Sequence, residues 1–550
     1  MTGDAMIVCP QPEAAEAGAD ILRMGGNAID AAVACAFTQG VVDPLMCGIA
    51  GFGSMAVYRA ETGKTEYLDF HARAPLAARP EMWADLVEGE TRDGFGFVLK
   101  DRINDLGYQS ICAPPALRAY AQAHDAHGRL PWSTVLAPAI AFAEEGYFVR
   151  PAMQTFFAEG SGMGRAATAE RLAFSAEGRA LYCSEDGRPK ATGAEIRNPH
   201  LARTLQTIAR EGAETFYGGK IAEQILADMD ANGGLLTAED LAACKPEWQT
   251  PIEGSYRGRR IVTNPPPGGG VMLLEMLNML ENFDLADMGH NSPSYIAHVS
   301  EVMKRATIDK DRFVGDPRFV DVPLKRLTDK TYGESLAAEI RRGERATVQR
   351  LQATDVVPRD TTHISVTDGD GNCVSMTHSL GMPSGVITPG LGFMYNGCMG
   401  VFDPRPGRTG SIAPGKSRFS AMCPTIMFDE AGPALVLGAP GGTQIVMGVL
   451  QVILNSVDFG MSVSEAVSAP RFSSTSNAVD VSNRIPRCVT KELEADGRDV
   501  IRNAYGYTIG WVHAISLADG RIEGMADPGR DGVAYRVTPA EVISNGAPQN

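Results

Sequence analysis

Positive charge is in deficit: 50 Lys and Arg stand against 66 Asp and Glu, a formal net charge of −16. That excludes nucleic acid and an anionic membrane surface as partners of the chain as a whole. The ten cysteines are scattered from Cys9 to Cys488, with no CxxC pair and no zinc-ligand spacing. Free thiols in a reducing compartment are expected, not a disulfide framework. No HExxH or comparable histidine spacing occurs, so no metal and no other cofactor is expected. No run is long and apolar enough to span a bilayer. The stretch Met1–Met6 lacks a basic patch followed by an apolar segment, and a cytoplasmic protein is expected. The glycine-rich run Cys47–Ser54 matches neither the P-loop nor the dinucleotide pattern, which excludes a phosphate cradle. Its glycines fit tight backbone packing beside a site. No internal repeat appears at periods of about 20–50 residues.

What is present is ordinary globular material, 44% apolar and 21% charged over 550 residues. That is enough for roughly three or four domains or one large α/β unit. Residues 6–9 read as a strand. Pro12 opens a helix that Gly25-Gly26 stops. Asn27 caps a second helix, 28–42, which is apolar all round and therefore buried. Residues 55–59 and 64–70 read as paired strands. Residues 113–260 read as mostly helical, with a Thr237/Asp240 capping box. Pro265–Gly270 punctuates the chain before a helix at 271–282. A long helix at 293–312 carries His298, Glu301, Lys304, Asp309 and Arg312 as a charge ladder or a solvated face. Strands at 424–428 and 434–437 lead through Gly438–Thr443 into a buried helix, 444–457. Strands, then helices, then strands indicate a layered α/β protein.

The stretch with the most chemical content is Arg359–Ser379. Two runs rich in Val, Ile and Thr flank Asp368-Gly369-Asp370-Gly371-Asn372, a hairpin signal. Pairing residue 367 with 373 puts Thr361 directly across from Ser379. Side chains alternate between faces. One face carries Ile364, Val366, Val374 and Met376. The other carries Thr361, His363, Ser365, Ser375, Thr377 and Ser379, a density of hydroxyls that a half-solvated structural hairpin also shows.

Taken in order, Gly25–Ala32, Pro265–Gly270, Asp360-Thr361-Thr362-His363 and Pro440-Gly441-Gly442 resemble the γ-glutamyltranspeptidase family of N-terminal-nucleophile hydrolases. The resemblance spans nearly the whole chain. It implies an α/β (α+β) fold, a four-layer αββα sandwich. It also implies a precursor that cuts itself between Asp360 and Thr361 into a large subunit, 1–360, and a small catalytic subunit, 361–550. The two interleave as one unit, with the polar tract at about 340–360 exposed and flexible. Partners are then a small-molecule amide and the two subunits themselves; a homodimer of the processed unit is compatible with this. The chemistry agrees. A threonine hydroxyl needs a base beside it, and the freed α-amine of Thr361, with a reference pKa of about 7.7–8.0, can serve. Before the cut that amine is an amide, so the first step is attack of Thr361 Oγ on the Asp360 carbonyl. Ser379 matches a family threonine that tunes the nucleophile. Gly441 and Gly442 match the oxyanion-hole glycines.

The pocket departs from the family. An arginine for the substrate α-carboxylate normally follows an Asp-Phe pair; here Asp69-Phe70 is followed by His71, with Arg73 two residues on. The assisting Ser-Ser pair is Ser420-Ala421. Residues that hold the α-amino group, Asn, Gln and Asp, fall on Gly381, Cys398 and Val401. An apolar lining does not pair an ammonium, so a γ-glutamyl α-amino end should bind poorly. Tyr395, Asn396 and Arg418 are the polar candidates nearby, and His71, Arg73 or Arg418 would meet an acyl carboxylate. The Phe402–Ser420 segment is shorter than in members with a lid, which suggests an open site. Relatives sharing such departures include the oxamate amidohydrolases and the cephalosporin acylases of this fold. The expectation is therefore a self-cleaving amidohydrolase or acyltransferase acting on a γ-glutamyl-like or other carboxylate-ended acyl amide. True glutathione γ-glutamyl transfer and a non-catalytic binding homologue are the alternatives.

Overall fold

Local sequence sets the elements that carry the site. The computed structural model describes residues 3–158, 160, 165–351, 353–354 and 361–542. Asn27 closes a capping box: its side chain accepts from Ile29 N and Asp30 N, while Asp30 accepts from Asn27 N. Such a cap is worth about 1 kcal/mol. The helix it opens, Ala28–Val42, is buried on nearly every side. It lies beside the Pro12–Arg23 helix, and both pack on a seven-stranded antiparallel sheet.

That sheet runs Val533–Val537, Ala5–Cys9, Thr362–Thr367, Cys373–Ser379, Phe52–Arg59, Lys64–Phe70 and Glu247–Gln249. The hairpin signal therefore builds its centre. Thr362 opposes His378 and Thr367 opposes Cys373, the expected register. The glycine-rich run lets Phe52–Arg59 come alongside: a Cβ on Gly51 would lie 2.4 Å from Ser379 O.

A second, six-stranded antiparallel sheet runs Glu523–Met525, His513–Ser516, Gly432–Gly438, Thr425–Asp429, Arg259–Thr263 and Ile252–Tyr256. Helices Gly270–Leu280 and Ile445–Val457 cover its outer face through Leu274, Leu277, Val446 and Leu450. Between the sheets lies a thin core of Met6, Val8, Ala56, Val262, Ile426, Val436 and Ile515. The layers are helix, sheet, sheet, helix.

Three expectations change. Residues 113–260 are helical only through Ala238–Ala243 and end in strands Glu247–Gln249, Ile252–Tyr256 and Arg259–Thr263. The turn between the last two is Arg257-Gly258, with φ of 48° and 78°. It is a tight hairpin without the Asn or Asp that marks one; Arg257 is held there by Glu281 and Phe283 carbonyls at 3.0 and 2.6 Å. Along the Pro293–Phe313 helix the charge ladder is buried in its middle, around Glu301, and reaches water at Arg312. Glu301 is buried and receives Lys304, Arg305 and Arg498 at 2.8, 2.9 and 3.1 Å. The tract expected to be flexible is tied down over its described part. Val348 is buried and exchanges two hydrogen bonds with Asn477, and Arg350 pairs with Asp311 at 2.5 Å. Residues 355–360, Asp360 among them, lie outside the described residues, as does 352.

Candidate active site

The hairpin register brings Thr361 Oγ1 to 3.0 Å from Ser379 Oγ. Ser379 Oγ also accepts from Gly381 N at 2.8 Å, which leaves its own hydrogen free to point at Thr361. Thr361 is 5% exposed and has a φ of 114°. For a β-branched residue that is strained backbone, costing about 1–3 kcal/mol.

The hydroxyl-rich face does not meet water. It faces the second sheet: Ser375 donates to Leu437 O at 2.8 Å and Ser365 to His513 O at 3.1 Å. The His363 ring bridges Thr377 and Ser365 hydroxyls at 2.8 and 3.0 Å. Burial, then the neighbouring His513 and His378, hold its pKa well below the ordinary value.

The opposite face carries a network that the sequence did not single out. Gln39 Nε2 donates to Thr362 Oγ1 at 3.0 Å, and Gln39 Oε1 takes His378 Nε2 at 2.7 Å. An amide oxygen only accepts, so His378 carries its proton on Nε2 and its Nδ1 accepts from Tyr120 OH at 2.7 Å. The available signal was Gln39 itself, a long polar side chain late in an almost wholly apolar helix.

Gly441 and Gly442 turn the chain from strand Gly432–Gly438 toward helix Ile445–Val457, with φ of 133° and 57°. Side chains rarely adopt these angles, so glycine is needed. Gly442 and Thr443 line one cleft together with Thr361, Val401, Arg418, Ser420 and Ala421. Phe95 and Lys310, which sequence reasoning missed, line it too. They arrive from distant segments, so no local pattern marks them.

The expected pocket residues separate. Arg418 reaches the cleft at Thr361 and is 5% exposed. Its guanidinium lies 4.7 Å from the Phe52 ring centre and 5.8 Å from that of Phe95. Its Nε has no hydrogen-bond partner, and no described carboxylate pairs with it. Burial lowers its pKa, against the opposing influence of Cys398 and Cys112. Ser420 is in the cleft. Cys398 is fully buried behind it, against Gly381.

The rest go elsewhere. His71 lies behind Phe52, with Nδ1 2.6 Å from Asp69 Oδ1. Burial pushes the Asp69 carboxyl up, but His71 holds it below its ordinary range. Arg73 pairs with Glu247 at 2.7 Å and faces a different cavity, walled by Pro265–Pro267. Tyr395 is buried with its hydroxyl on Thr388 at 2.8 Å. Asn396 donates to Ala50 O and Cys112 O at 3.0 and 2.9 Å and accepts from Cys112 N and Cys398 N. Its hydrogen bonds are used by the backbone, so it clamps loops and has nothing left for a ligand. Among the described residues, no group of three or more His, Cys, Asp or Glu could hold a metal ion, and no helix is long and apolar enough to cross a membrane.

Two stacked antiparallel sheets between helical layers, with a threonine and its hydroxyl partner at the head of a central strand, define an N-terminal-nucleophile hydrolase. The family profile for gamma-glutamyltranspeptidase matches residues 14–537, and the chain belongs to that family of self-processing, amide-cleaving enzymes. It is 37% identical over 539 residues to Acylase ACY 1 proenzyme of Pseudomonas sp. (strain SE83), covering 97% of this chain and 93% of that one. It is 34% identical to the Glutathione hydrolase proenzyme of Escherichia coli (strain K12), covering 95% and 90%. Among solved structures, cephalosporin acylase from Bacillus halodurans superposes with a TM-score of 0.85 at 30% identity, covering 97% and 96%.

Proposed function

We propose that Thr361 is the nucleophile of an amidohydrolase whose acyl group ends in a carboxylate, and that Arg418 receives that carboxylate. One observation carries this: the cleft at Thr361 holds a buried, unpaired guanidinium and, among its described lining residues, Lys310 as a second cation and no Asp or Glu. A carboxylate entering it satisfies a charge that is otherwise uncompensated. An α-ammonium entering it meets two cations and, among the described lining residues, no anion. The lining thus favours an ω-carboxyacyl amide such as a glutaryl amide over a γ-glutamyl one, in line with the acylase relatives.

The chemistry runs in two stages. In the precursor, Thr361 Oγ attacks the Asp360 carbonyl; the C–N bond breaks, an ester forms, and water cleaves it. The chain becomes 1–360 and 361–550, and Thr361 gains a free amine. In turnover that amine takes the Oγ proton as Oγ attacks the substrate carbonyl. Gly441 and Gly442 N–H groups face the developing oxyanion, each such donor being worth about 3–4 kcal/mol. The ammonium returns the proton to the departing amine, and water or another amine releases the acyl group. Ser379, hydrogen-bonded to Oγ1, orients the nucleophile.

The test is a gel and a substrate panel. Wild-type protein should resolve into two chains and Thr361→Ala should remain one. The processed enzyme should prefer glutaryl-4-nitroanilide to γ-glutamyl-4-nitroanilide. Preference for the γ-glutamyl compound supports glutathione-type transfer instead. Cleavage of Thr361→Ala overturns the assignment of the nucleophile.

A further inference from the structure

Gly441 and Gly442 have no side chains with which to hold their own place. From behind, the turn is held by backbone: Gln444 N donates to Gly441 O at 3.0 Å, Trp511 N donates to Pro440 O at 3.2 Å, and a Cβ on Gly441 would lie 3.2 Å from Gly510 Cα. On the cleft side, the first side chain after the two glycines is that of Thr443. Its hydroxyl donates to Asp93 Oδ2 at 2.9 Å. Asp93 is 3% exposed, and its other oxygen, Oδ1, accepts from Phe95 N at 3.1 Å.

Asp93 comes from the loop between strands Val87–Thr91 and Phe97–Leu99. That loop is itself fixed. Thr91 N donates to Gly96 O at 2.9 Å, Gly94 N to Thr91 O at 2.8 Å and Gly96 N to Thr91 Oγ1 at 3.0 Å. Arg92 is clamped to both carboxylate oxygens of Asp480 at 2.7 and 2.9 Å. Gly96 lies so close to the cleft-side turn at Gly400 that a Cβ on it would sit 2.4 Å from Gly400 O. The loop therefore lays Gly94 and Phe95 along the cleft at Thr361, with the Phe95 ring centre 5.8 Å from the Arg418 guanidinium. One carboxylate thus holds the cleft wall with one oxygen and the glycine turn with the other. Asp93 falls in 1–360 and Thr443 in 361–550, on opposite sides of the proposed cut.

We propose that Asp93 is a positioning residue for the oxyanion turn: through Thr443 it sets where the Gly441 and Gly442 N–H groups point, and through Phe95 N it sets the wall beside Arg418. This rests on the oxyanion role given to the two glycines above. Asp93 is not among the residues lining the cleft, so it acts through Thr443 and moves no proton. The reaction is unchanged. What the Asp93–Thr443 bond secures is used when negative charge develops on the carbonyl oxygen, so its loss is felt in the chemical step more than in substrate binding. Losing an oxyanion donor outright costs roughly 100- to 1,000-fold in kcat, and loosening donors that remain present should cost less, about tenfold.

The test is a double-mutant cycle of Asp93→Ala and Thr443→Val on the processed enzyme. The substrates are glutaryl-4-nitroanilide and 4-nitrophenyl acetate, an activated ester that makes no use of Arg418. Thr443→Val should lower kcat on the anilide about tenfold with KM little changed, and Thr443→Ser, which keeps the hydroxyl, should recover most of that loss. On the ester, Asp93→Ala, Thr443→Val and the double variant should all lose the same factor in kcat/KM, because all three break the same bond. On the anilide, Asp93→Ala should also raise KM, since it frees Phe95 beside Arg418. Losses that multiply in the double variant overturn the proposal. So does a Thr443→Val enzyme with wild-type kcat, or a Thr443→Ser enzyme as impaired as Thr443→Val. If Asp93→Ala does not fold, the comparison of Thr443→Val with Thr443→Ser decides alone. If only the ester is hydrolysed, the acyl assignment fails and the ester cycle still decides. Ester turnover that Thr361→Ala retains in full removes the proposed function and this proposal with it; Thr361-dependent turnover with multiplying losses removes this proposal alone.

Discussion

Replacing Arg418 by Met keeps length and apolar bulk and removes the cation. The consequence for the carboxylate-ended substrate follows from burial. Arg418 is 5% exposed, so its pairing with a bound carboxylate occurs largely out of water. Truncating one partner of a buried, hydrogen-bonded charge pair costs about 2–5 kcal/mol. At about 1.4 kcal/mol per tenfold, a mid-range 3 kcal/mol is roughly a hundredfold in kcat/KM. The assay pairs glutaryl-4-nitroanilide with pentanoyl-4-nitroanilide, which has the same acyl length and no carboxylate. R418M should lose about a hundredfold on the first and nothing on the second.

The free protein gives an independent readout. Its unpaired guanidinium costs stability, offset in part by cation–π contact with Phe52 and Phe95, worth about 0.5–2 kcal/mol. Removing a buried, uncompensated charge more than covers that loss. Thermal unfolding of R418M should therefore occur at or above the wild-type temperature. A variant that still discriminates a hundredfold for the glutaryl substrate refutes the assignment. So does one that loses both substrates while folding normally.

Two further outcomes follow from the same geometry. Ser379→Ala removes the hydroxyl 3.0 Å from Thr361 Oγ1; kcat should fall about tenfold, the worth of a hydrogen bond of roughly 1.5 kcal/mol, with KM little changed, and Ser379→Thr should restore it. Burial holds His378 at about 3, and burial with the nearby Arg530 and Arg471 holds His513 at about 3, while His363 is also well below its ordinary value. In the unfolded chain these groups take protons near 6.5, so their cost is absent above that pH and grows as pH falls toward 3. At pH 5.5 His378 and His513 each cost on the order of 1 kcal/mol, and His363 adds in the same direction. Calorimetric unfolding at pH 5.5 should come several degrees below that at pH 7.5; an unchanged midpoint refutes the reading.

The setting of Thr361 was legible because every step from sequence to geometry is short-range. A period of two and an Asp-Gly turn determine which residue faces which, so Thr361 meets Ser379 without knowledge of anything else. The same holds for Asn27 and its helix. The pocket was not legible for the opposite reason. Arg73 and Arg418 look alike in the sequence, and Arg73 stands at the more suggestive position. What distinguishes them is that a strand from residue 247 brings Glu247 to Arg73, whereas no described carboxylate pairs with Arg418. Asn396 fails for a related reason: four backbone groups from three segments claim its amide. Strand Ile252–Tyr256 was missed because its turn is Arg-Gly, stabilised by carbonyls that only the folded chain supplies.

The two faces of the Thr362–Thr367 strand explain how the proposed cut before Thr361 would leave the site intact. Thr362–Thr367 is hydrogen-bonded to Ala5–Cys9 on one side and to Cys373–Ser379 on the other. Its side chains are tied as well, Thr362 to Gln39 on the helical side and Ser365 to the His513 carbonyl on the other. Breaking the bond before Thr361 removes none of these. What it removes is the restraint that holds Thr361 at a φ of 114°, because an N-terminal residue has no preceding carbonyl to clash with. Under the proposed processing, that strain, about 1–3 kcal/mol, is present only before the cut and sits at the residue proposed to make it. On the proposed cut before Thr361, relaxation of that one residue would favour self-cleavage, and the strand would keep the freed amine beside the hydroxyl.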